Sequence, residues 1–211
     1  DALLAGASGL VGQALSRHWP GPGTLHLLVR RPMAAPAPAC RVHVVDFGAL
    51  PALPPARHAY CALGTTIKIA GSQAAFRAVD HDAVLAFARA ARQSGVTHFA
   101  VVSALGASAR SPSFYSRVKG EVETALAGVG FASLLIARPS LLTGDRAALG
   151  QPPRRAEHLG QLLTRPIAAL IPSAWRPIEA EVVARALHRG LQDAAPGVTV
   201  LDSADLQRLG R

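Results

Sequence analysis

A turn with three regularly spaced glycines follows the first apolar segment of the chain. Residues 2–5 are all apolar and predict a short strand, and residues 10–18 have the pattern of a helix. The turn between them carries Gly6, Gly9 and Gly12. In a dinucleotide-binding unit the first glycine permits the tight turn, the second lets the backbone approach a pyrophosphate, and the third lets helix and strand pack closely.

Free N–H groups at the start of such a helix, together with the helix dipole, favour the charge of a phosphate. An ordinary turn rich in small residues is the alternative. The position of the motif between a strand and a helix favours the dinucleotide site. We therefore predict that the turn binds a diphosphate through Gly6, Ser8, Gly9, Leu10, Val11 and Gly12.

Short apolar runs alternate with helical patterns along the first two thirds of the chain. This alternation is typical of βαβ units, and runs that are apolar at every position are typical of strands covered on both faces. Residues 32–39 are too rich in proline and alanine for a crossover helix and predict a loop. The pattern predicts an α/β fold, a Rossmann-like doubly wound and mostly parallel sheet. Further strands are expected at 25–29, 42–45, 59–63, 98–102 and 133–137, and further helices at 80–94 and 113–128.

The regular alternation of short apolar runs and helical patterns does not continue after residue 144. Three elements are predicted beyond it: an interrupted helix at 159–171, an amphipathic helix at 178–191 and a last strand at 198–201. We predict one compact chain made of two parts without a sharp boundary between them. Residues 1–144 are expected to form the nucleotide-binding domain, and residues 145–211 a small substrate cap with a returning strand and helix.

The composition predicts a folded chain without a membrane partner. With 50% hydrophobic and 17% charged residues, 211 residues can bury a sizeable core, which excludes disorder. Two cysteines without a Cys-x-x-Cys pattern exclude a disulfide scaffold. No apolar run is long enough to cross a bilayer, and the first residues lack the basic region of a secretory signal. We therefore expect a cytoplasmic setting.

A net charge of +9 is a common sign of a nucleic-acid partner. However, Lys68 and Lys119 are the only lysines, and the arginines are scattered along the chain rather than clustered. Aromatic residues that could stack on bases are not interleaved with the basic ones. We expect no nucleic-acid partner.

Two arginines mark the end of the second predicted strand. An NAD site usually has an acidic residue there, about 20 residues beyond the glycines, to accept from the ribose 2′-hydroxyl. Here Arg30 lies 18 residues after Gly12, and Arg31 follows it. Because a guanidinium pairs with a 2′-phosphate, NADP(H) is favoured over NAD(H), and solvated strand-end charges are the alternative. Asp46, with Phe47 beside it, is expected either to contact the adenine or to form a turn.

A serine, a tyrosine and a lysine form the predicted catalytic set. Tyr115 and Lys119 are four residues apart on a predicted helix and therefore share a face. Ser103 follows the fifth predicted strand, twelve residues before Tyr115. Reduction of a carbonyl places negative charge on its oxygen, so a proton donor must be in reach, and a neighbouring ammonium stabilises a phenolate. We predict Tyr115 as the acid, Lys119 as the group that tunes it, and Ser103 as the donor that orients the substrate oxygen.

The remaining candidate groups favour structural roles. Residues 80–82, Asp-His-Asp, are the one dense cluster of metal-ligating types, but adjacent residues at a helix start diverge in direction. An N-cap and dipole role is predicted for Asp80 instead. No two histidines have the i, i+4 spacing of a zinc site, so no metal is expected. Cys61, in a predicted buried strand, is expected to be a core residue rather than a nucleophile.

These motifs together resemble the short-chain dehydrogenase/reductase superfamily. More narrowly, Leu-Gly-Thr-Thr at 63–66, and the segments 114–123 and 137–142, resemble its atypical branch, typified by the Tat-interacting-protein family. The resemblance spans essentially the whole chain. It implies that Lys119 also holds the nicotinamide ribose. It further implies two cofactor contacts, with Leu63, Gly64, Thr65 and Thr66 beneath the cofactor and Pro139, Ser140 and Leu141 beside the nicotinamide.

Superfamily members often add an asparagine to the catalytic set, but this chain contains none. Any proton relay would then use water, a backbone carbonyl or another side chain. The expected function is an NADP(H)-dependent oxidoreductase that acts on a small carbonyl or alcohol substrate. One alternative is an NADP(H)-sensing protein that catalyses little and binds a protein partner. The other is a nucleotide-sugar epimerase-like enzyme, although the chain is short for one.

Overall fold

The computed structural model of this chain describes residues 1–144 and 175–211. The predicted helix at 159–171 and the first part of the predicted cap, residues 145–174, lie outside these residues. The division into a nucleotide-binding domain and a cap therefore stays a prediction.

Within the described residues, seven parallel strands form the central sheet. They are β1 (Ala2–Ala5), β2 (Leu25–Val29), β3 (Cys40–Val44), β4 (His58–Cys61), β5 (His98–Val102), β6 (Ser133–Ala137) and β9 (Gly197–Leu201). Two short strands, β7 (Leu142–Thr143) and β8 (Ile178–Glu179), pair separately. The order in the central sheet is β3-β2-β1-β4-β5-β6-β9, which confirms the predicted Rossmann-like fold. Because the chain reverses its direction of winding between β1 and β4, the crevice at their carboxyl ends is the topological switch point.

Helices cover both faces of this sheet. They are α1 (Leu10–Arg17), α2 (Ile67–Ala70), α3 (Gln73–Arg77), α4 (Val84–Gln93), α5 (Phe114–Ala127), α6 (Ala180–Gln192) and α7 (Ser203–Leu209). A π-helical turn over Ala78–Ala83 joins α3 to α4. The connection at 32–39 contains no helix, as predicted. Within the described ranges, no helix is both long and apolar enough to span a membrane.

Two element boundaries differ from the prediction for identifiable reasons. The helical segment expected from Asp80 begins at Gln73, because the Ser72 hydroxyl accepts from the Ala75 amide at 3.0 Å and caps it. The helix expected from residue 178 begins at Ala180, because Ile178–Glu179 pair as β8 with the strand β7.

The core lies on both faces of the sheet. All four residues of β1 are buried, with Leu4 in the cluster that includes α1 and α6 and Leu3 in the cluster that includes α4 and α5. Burial of a leucine side chain contributes about 1.5–3 kcal/mol, so these two clusters hold the sheet between its helices. The carboxyl ends of the parallel strands form one edge of this sheet, the carboxyl edge. The predicted site residues lie at this edge or on the helices that start there.

Candidate functional site

The glycine turn is shaped by close backbone approach. Gly6 has φ +90°, and a Cβ there would lie 2.4 Å from the carbonyl carbon of Ala62. A Cβ on Gly12 would lie 2.1 Å from the carbonyl oxygen of Gly6. Both positions therefore require glycine for the turn to pack against the loop after β4 and against α1.

Gly9 differs from the other two glycines. A Cβ at this position would meet no atom closer than the Gly6 carbonyl oxygen, at 3.4 Å, so packing within the protein does not demand glycine here. Gly9 is the extended N-cap of α1, and no acidic side chain lies in the first helical turn. The amides at this helix start face the switch point without a side-chain cap, which fits a diphosphate. Ser8 beside them is exposed, whereas Leu10 and Val11 pack toward the core and would contribute backbone groups.

The residues expected at the adenosine end differ in exposure. Arg30 and Arg31 are exposed directly after β2, at the same edge of the sheet as the glycine turn. Asp46 is also exposed, and its Oδ1 accepts from the Gly48 amide at 2.8 Å, which is the turn role given as its alternative. Phe47 is buried in the core cluster of α4 and α5, so its ring packs inside the protein.

The Leu63–Thr66 segment runs past a buried ion pair. The Thr65 amide donates to Asp80 Oδ2 at 2.8 Å, and the Thr66 hydroxyl caps α2 by accepting from Ile69. A Cβ on Gly64 would lie 3.4 Å from Asp80 Oδ1 and 3.8 Å from Lys119 Nζ. The loop therefore lies against the predicted catalytic lysine.

Lys119 and Asp80 form this buried ion pair. Lys119 Nζ lies 2.7 Å from Asp80 Oδ1, and neither side chain is more than 6% exposed. Burial alone would lower the pKa of Lys119, but the Asp80 carboxylate, with Tyr115, outweighs burial and raises it. Lys119 is therefore an ammonium at neutral pH. The predicted N-cap role of Asp80 is wrong, because Asp80 lies inside a continuous helical run and its carboxylate is directed to Lys119.

Tyr115 lies one helical turn before Lys119, near the start of α5. The Ser113 hydroxyl caps this helix by accepting from the Ser116 amide. Tyr115 is half-buried, and its ring packs on that of Phe76, with 5.4 Å between centroids. The helix start and this aromatic contact hold the tyrosine at the carboxyl edge of the sheet.

The Ser103 hydroxyl has a partner that the sequence did not indicate. It donates to Glu123 Oε1, and Arg138 donates to the same carboxylate from Nε at 3.1 Å and Nη2 at 2.5 Å. Glu123 lies eight residues after Tyr115 on α5, about 12 Å farther along the helix axis. The hydroxyl proton of Ser103 is therefore engaged by Glu123, and the role of Ser103 toward a substrate stays a prediction.

The segment after β6 is held by contacts to neighbouring loops. The carbonyl of Pro139 accepts from the Leu105 amide at 3.0 Å, in the loop that follows β5. The Ser140 hydroxyl donates to the carbonyl of Arg176 and accepts from Ser203 at 3.0 Å. Leu141 is exposed. Pro139–Leu141 therefore follow the carboxyl end of β6, on the side of the sheet edge that carries Ser103.

Three residues of this site, Asp80, Glu123 and Arg138, were not predicted as functional. Glu123 had a detectable signal, since it follows Lys119 by one helical turn on the same face. Cys61 is 1% exposed, and burial raises its pKa to about 12, so its predicted core role is confirmed. In the described part of the chain, no three His, Cys, Asp or Glu side chains are placed to hold a metal ion.

The chain has relatives among curated proteins and neighbours among solved structures. No family model matches the sequence. Protein HTATIP2 of Rattus norvegicus is 30% identical over 225 residues, covering 100% of this chain and 89% of that protein. Protein FMP52, mitochondrial, of Eremothecium gossypii is 34% identical over 154 residues, covering 69% of this chain and 68% of that protein. The structure of MoeE5 in complex with UDP-glucuronic acid and NAD has a TM-score of 0.72 and 19% identity, covering 95% of this chain and 75% of that one.

The relatives also correct one prediction. Several fungal relatives carry the word mitochondrial in their names. This finding contradicts the cytoplasmic setting expected from the sequence.

The identity to HTATIP2 over the full chain and the Rossmann-like fold show that the chain belongs to the HTATIP2 family of atypical short-chain dehydrogenases/reductases.

Proposed function

We propose that this chain is an oxidoreductase that binds a nicotinamide dinucleotide, favours NADP(H), and transfers hydride between it and a small carbonyl or alcohol. The observation that carries the proposal is the arrangement of Lys119. Its ammonium is held against the Leu63–Thr66 loop, one helical turn from Tyr115. The glycine turn follows β1 at the same carboxyl edge. MoeE5, which shares the fold, was solved with NAD.

The bound dinucleotide would supply or accept the hydride. As the new C–H bond forms at a substrate carbonyl, the π electrons move to oxygen, and Tyr115 donates its phenolic proton there. The Lys119 ammonium stabilises the phenolate that remains and donates to the nicotinamide ribose hydroxyls. Tyr115 then recovers a proton from solvent. In the direction of alcohol oxidation the same group accepts the proton.

The preference for NADP(H) is supported by charge at the end of β2. Arg30 and Arg31 are both exposed there, where an NAD-selective site would offer a carboxylate to the ribose. A guanidinium forms two parallel hydrogen bonds to a phosphate but offers no acceptor to a 2′-hydroxyl. Asp46, which follows β3, uses its Oδ1 to accept from the Gly48 amide in its own turn.

A second candidate function is cofactor-dependent binding of a protein partner with little catalysis. It is favoured by the Ser103 hydroxyl, which donates its proton to the Glu123 carboxylate and therefore does not offer it to a substrate oxygen. In this case the same nucleotide site would be filled, but no carbonyl substrate would be reduced at a useful rate.

The two tyrosines of the chain give a matched experiment. NADPH binding and NADPH oxidation with a panel of small aldehydes and ketones would be measured for the wild type, Tyr115→Phe and Tyr60→Phe. Tyr60 is buried in β4 and pairs with His188, on the α6 side of the sheet. We expect Tyr115→Phe to lower kcat at least about 100-fold while NADPH still binds, and Tyr60→Phe to keep kcat.

Equal turnover by the wild type and Tyr115→Phe would contradict the catalytic assignment. A wild type that binds NADPH and oxidises it with no member of the panel would favour the sensing function.

A further inference from the structure

Asp80 joins two parts of the candidate site that come from different elements. Its carboxylate is fully buried, with Oδ1 facing the Lys119 ammonium at 2.7 Å and Oδ2 accepting from the Thr65 amide at 2.8 Å. We propose that Asp80 is a positioning residue, which fixes the lysine and the Leu63–Thr66 loop in one arrangement to receive the nicotinamide half of the cofactor. This inference rests on the proposed function.

The local backbone accounts for the direction of this side chain. Asp80 lies in the π-helical turn Ala78–Ala83, which inserts an extra residue between α3 and α4 and packs against α5. Such turns shift side chains out of the regular helical register and are frequent at functional sites. Two residues later, Asp82 is 62% exposed and pairs only with the neighbouring His81 among its described contacts.

The net contribution of a buried ion pair to the free energy of unfolding is expected to be small when both partners are present. A buried pair of charges is often replaced by apolar side chains of similar volume without loss of stability, because desolvation offsets the attraction between the charges. Removal of one partner, by contrast, leaves an unpaired buried charge. The pair therefore has its clearest effect on geometry, where it restricts a long and flexible lysine side chain to one position.

That position matters because of what lies around it. An ammonium has three donors, and Lys119 faces Asp80 Oδ1 at 2.7 Å as an ion pair. With the side chain held in this way, its donors are expected to serve the ribose hydroxyls when the cofactor binds. Gly64, which has no side chain, lies directly beside the pair, so a ligand can approach both the loop and the lysine. Without Asp80, the lysine and the Thr65 amide would each have to be ordered when the cofactor binds, and affinity would fall.

Binding of two probes tests this inference on the intact chain. NADP⁺ carries the nicotinamide half, whereas adenosine 2′,5′-bisphosphate carries only groups for the adenosine end. Calorimetry would compare the wild type, Asp80→Asn and the control Asp82→Asn. The amide of Asp80→Asn still offers an acceptor to Thr65 but no charge to Lys119. We expect about a tenfold loss of NADP⁺ affinity in Asp80→Asn, unchanged bisphosphate affinity, and no change in Asp82→Asn.

Unchanged NADP⁺ affinity in Asp80→Asn, or an equal loss for both probes, would overturn the positioning role. A wild type that binds neither probe would overturn the proposed function itself. The two failures are therefore distinguishable.

A measurement on the wild type keeps the test valid even if Asp80→Asn does not fold. Hydrogen exchange at the Thr65 amide should be slow in the free protein and change little when NADP⁺ is added, because Asp80 already holds that N–H. Fast exchange in the free protein that slows only with NADP⁺ would contradict the proposal.

Discussion

Ser103 and Glu123, twenty residues apart in the chain, are joined by a buried hydrogen bond in which the serine donates. The same carboxylate receives two hydrogen bonds from Arg138, directly after β6. The end of β5, the middle of α5 and the end of β6 are thereby tied together. The serine predicted to orient a substrate thus has a structural partner, and this changes what its removal should do.

Ser103→Ala should reduce turnover far less than Tyr115→Phe. Its hydroxyl hydrogen is held by the Glu123 carboxylate, so the loss should appear mainly in stability, about 1.5–3 kcal/mol of unfolding free energy. Urea denaturation and steady-state kinetics measure both effects. The control is Ser133→Ala, which removes another buried serine hydroxyl, one that donates to the Ala195 carbonyl at the amino end of β6. A loss of kcat as large as that of Tyr115→Phe, with stability unchanged, would instead support Ser103 as the substrate donor.

Gly12→Ala should damage both stability and nucleotide binding. The added Cβ would lie 2.1 Å from the Gly6 carbonyl oxygen and 2.8 Å from the Ala7 Cα, so the turn must shift. We expect a cost of about 1–3 kcal/mol in unfolding free energy and loss of NADPH binding. Gly128→Ala is the control, since its Cβ would be in ordinary contact at 3.5 Å. Normal NADPH affinity in Gly12→Ala would show that the turn does not form the diphosphate site.

Acidification should destabilise the fold through partly buried histidines. Burial, together with His98 and Arg57, lowers the pKa of His58 to about 4, and burial also lowers the pKa values of His98 and His188. Between about pH 4 and 6.5 the unfolded chain therefore binds protons that the folded chain does not. Stability is present in full above pH 6.5 and is lost as the pH falls through about 4.

Urea denaturation across this pH range would measure the effect. His58→Gln should flatten the dependence, whereas the control His18→Gln, at an exposed histidine, should leave it unchanged. A free energy of unfolding that stays constant or rises on acidification would contradict the expectation that these partly buried histidines are neutral in the folded chain.

The sheet could be predicted because its signals are local. The strands predicted at 25–29, 98–102 and 133–137 match the observed β2, β5 and β6. A short apolar run bounded by polar or turn residues is compatible with few secondary structures other than a buried strand. The glycine turn was recognisable for the same reason, because three glycines at a regular spacing predict a single backbone shape.

The contacts within the site could not be predicted in this way. The direction of the Asp80 side chain depends on a π-helical turn, and no periodicity in the sequence predicts such a turn. The bond from Ser103 to Glu123 depends on how β5 and α5 pack, which is tertiary information. By contrast, α7 had a local signal that was missed, the capping box of Asp202 and Asp205.

The central claim is that the glycine turn and the arginines after β2 together bind a nicotinamide dinucleotide and select its 2′-phosphate. Calorimetric titration of the wild type with NADPH and with NADH, repeated on Arg30→Ala/Arg31→Ala, tests it most directly. We predict that the wild type binds NADPH at least about tenfold more tightly than NADH, and that the double variant loses this preference while still binding NADH. No heat with either nucleotide, or tighter binding of NADH by the wild type, would contradict the account.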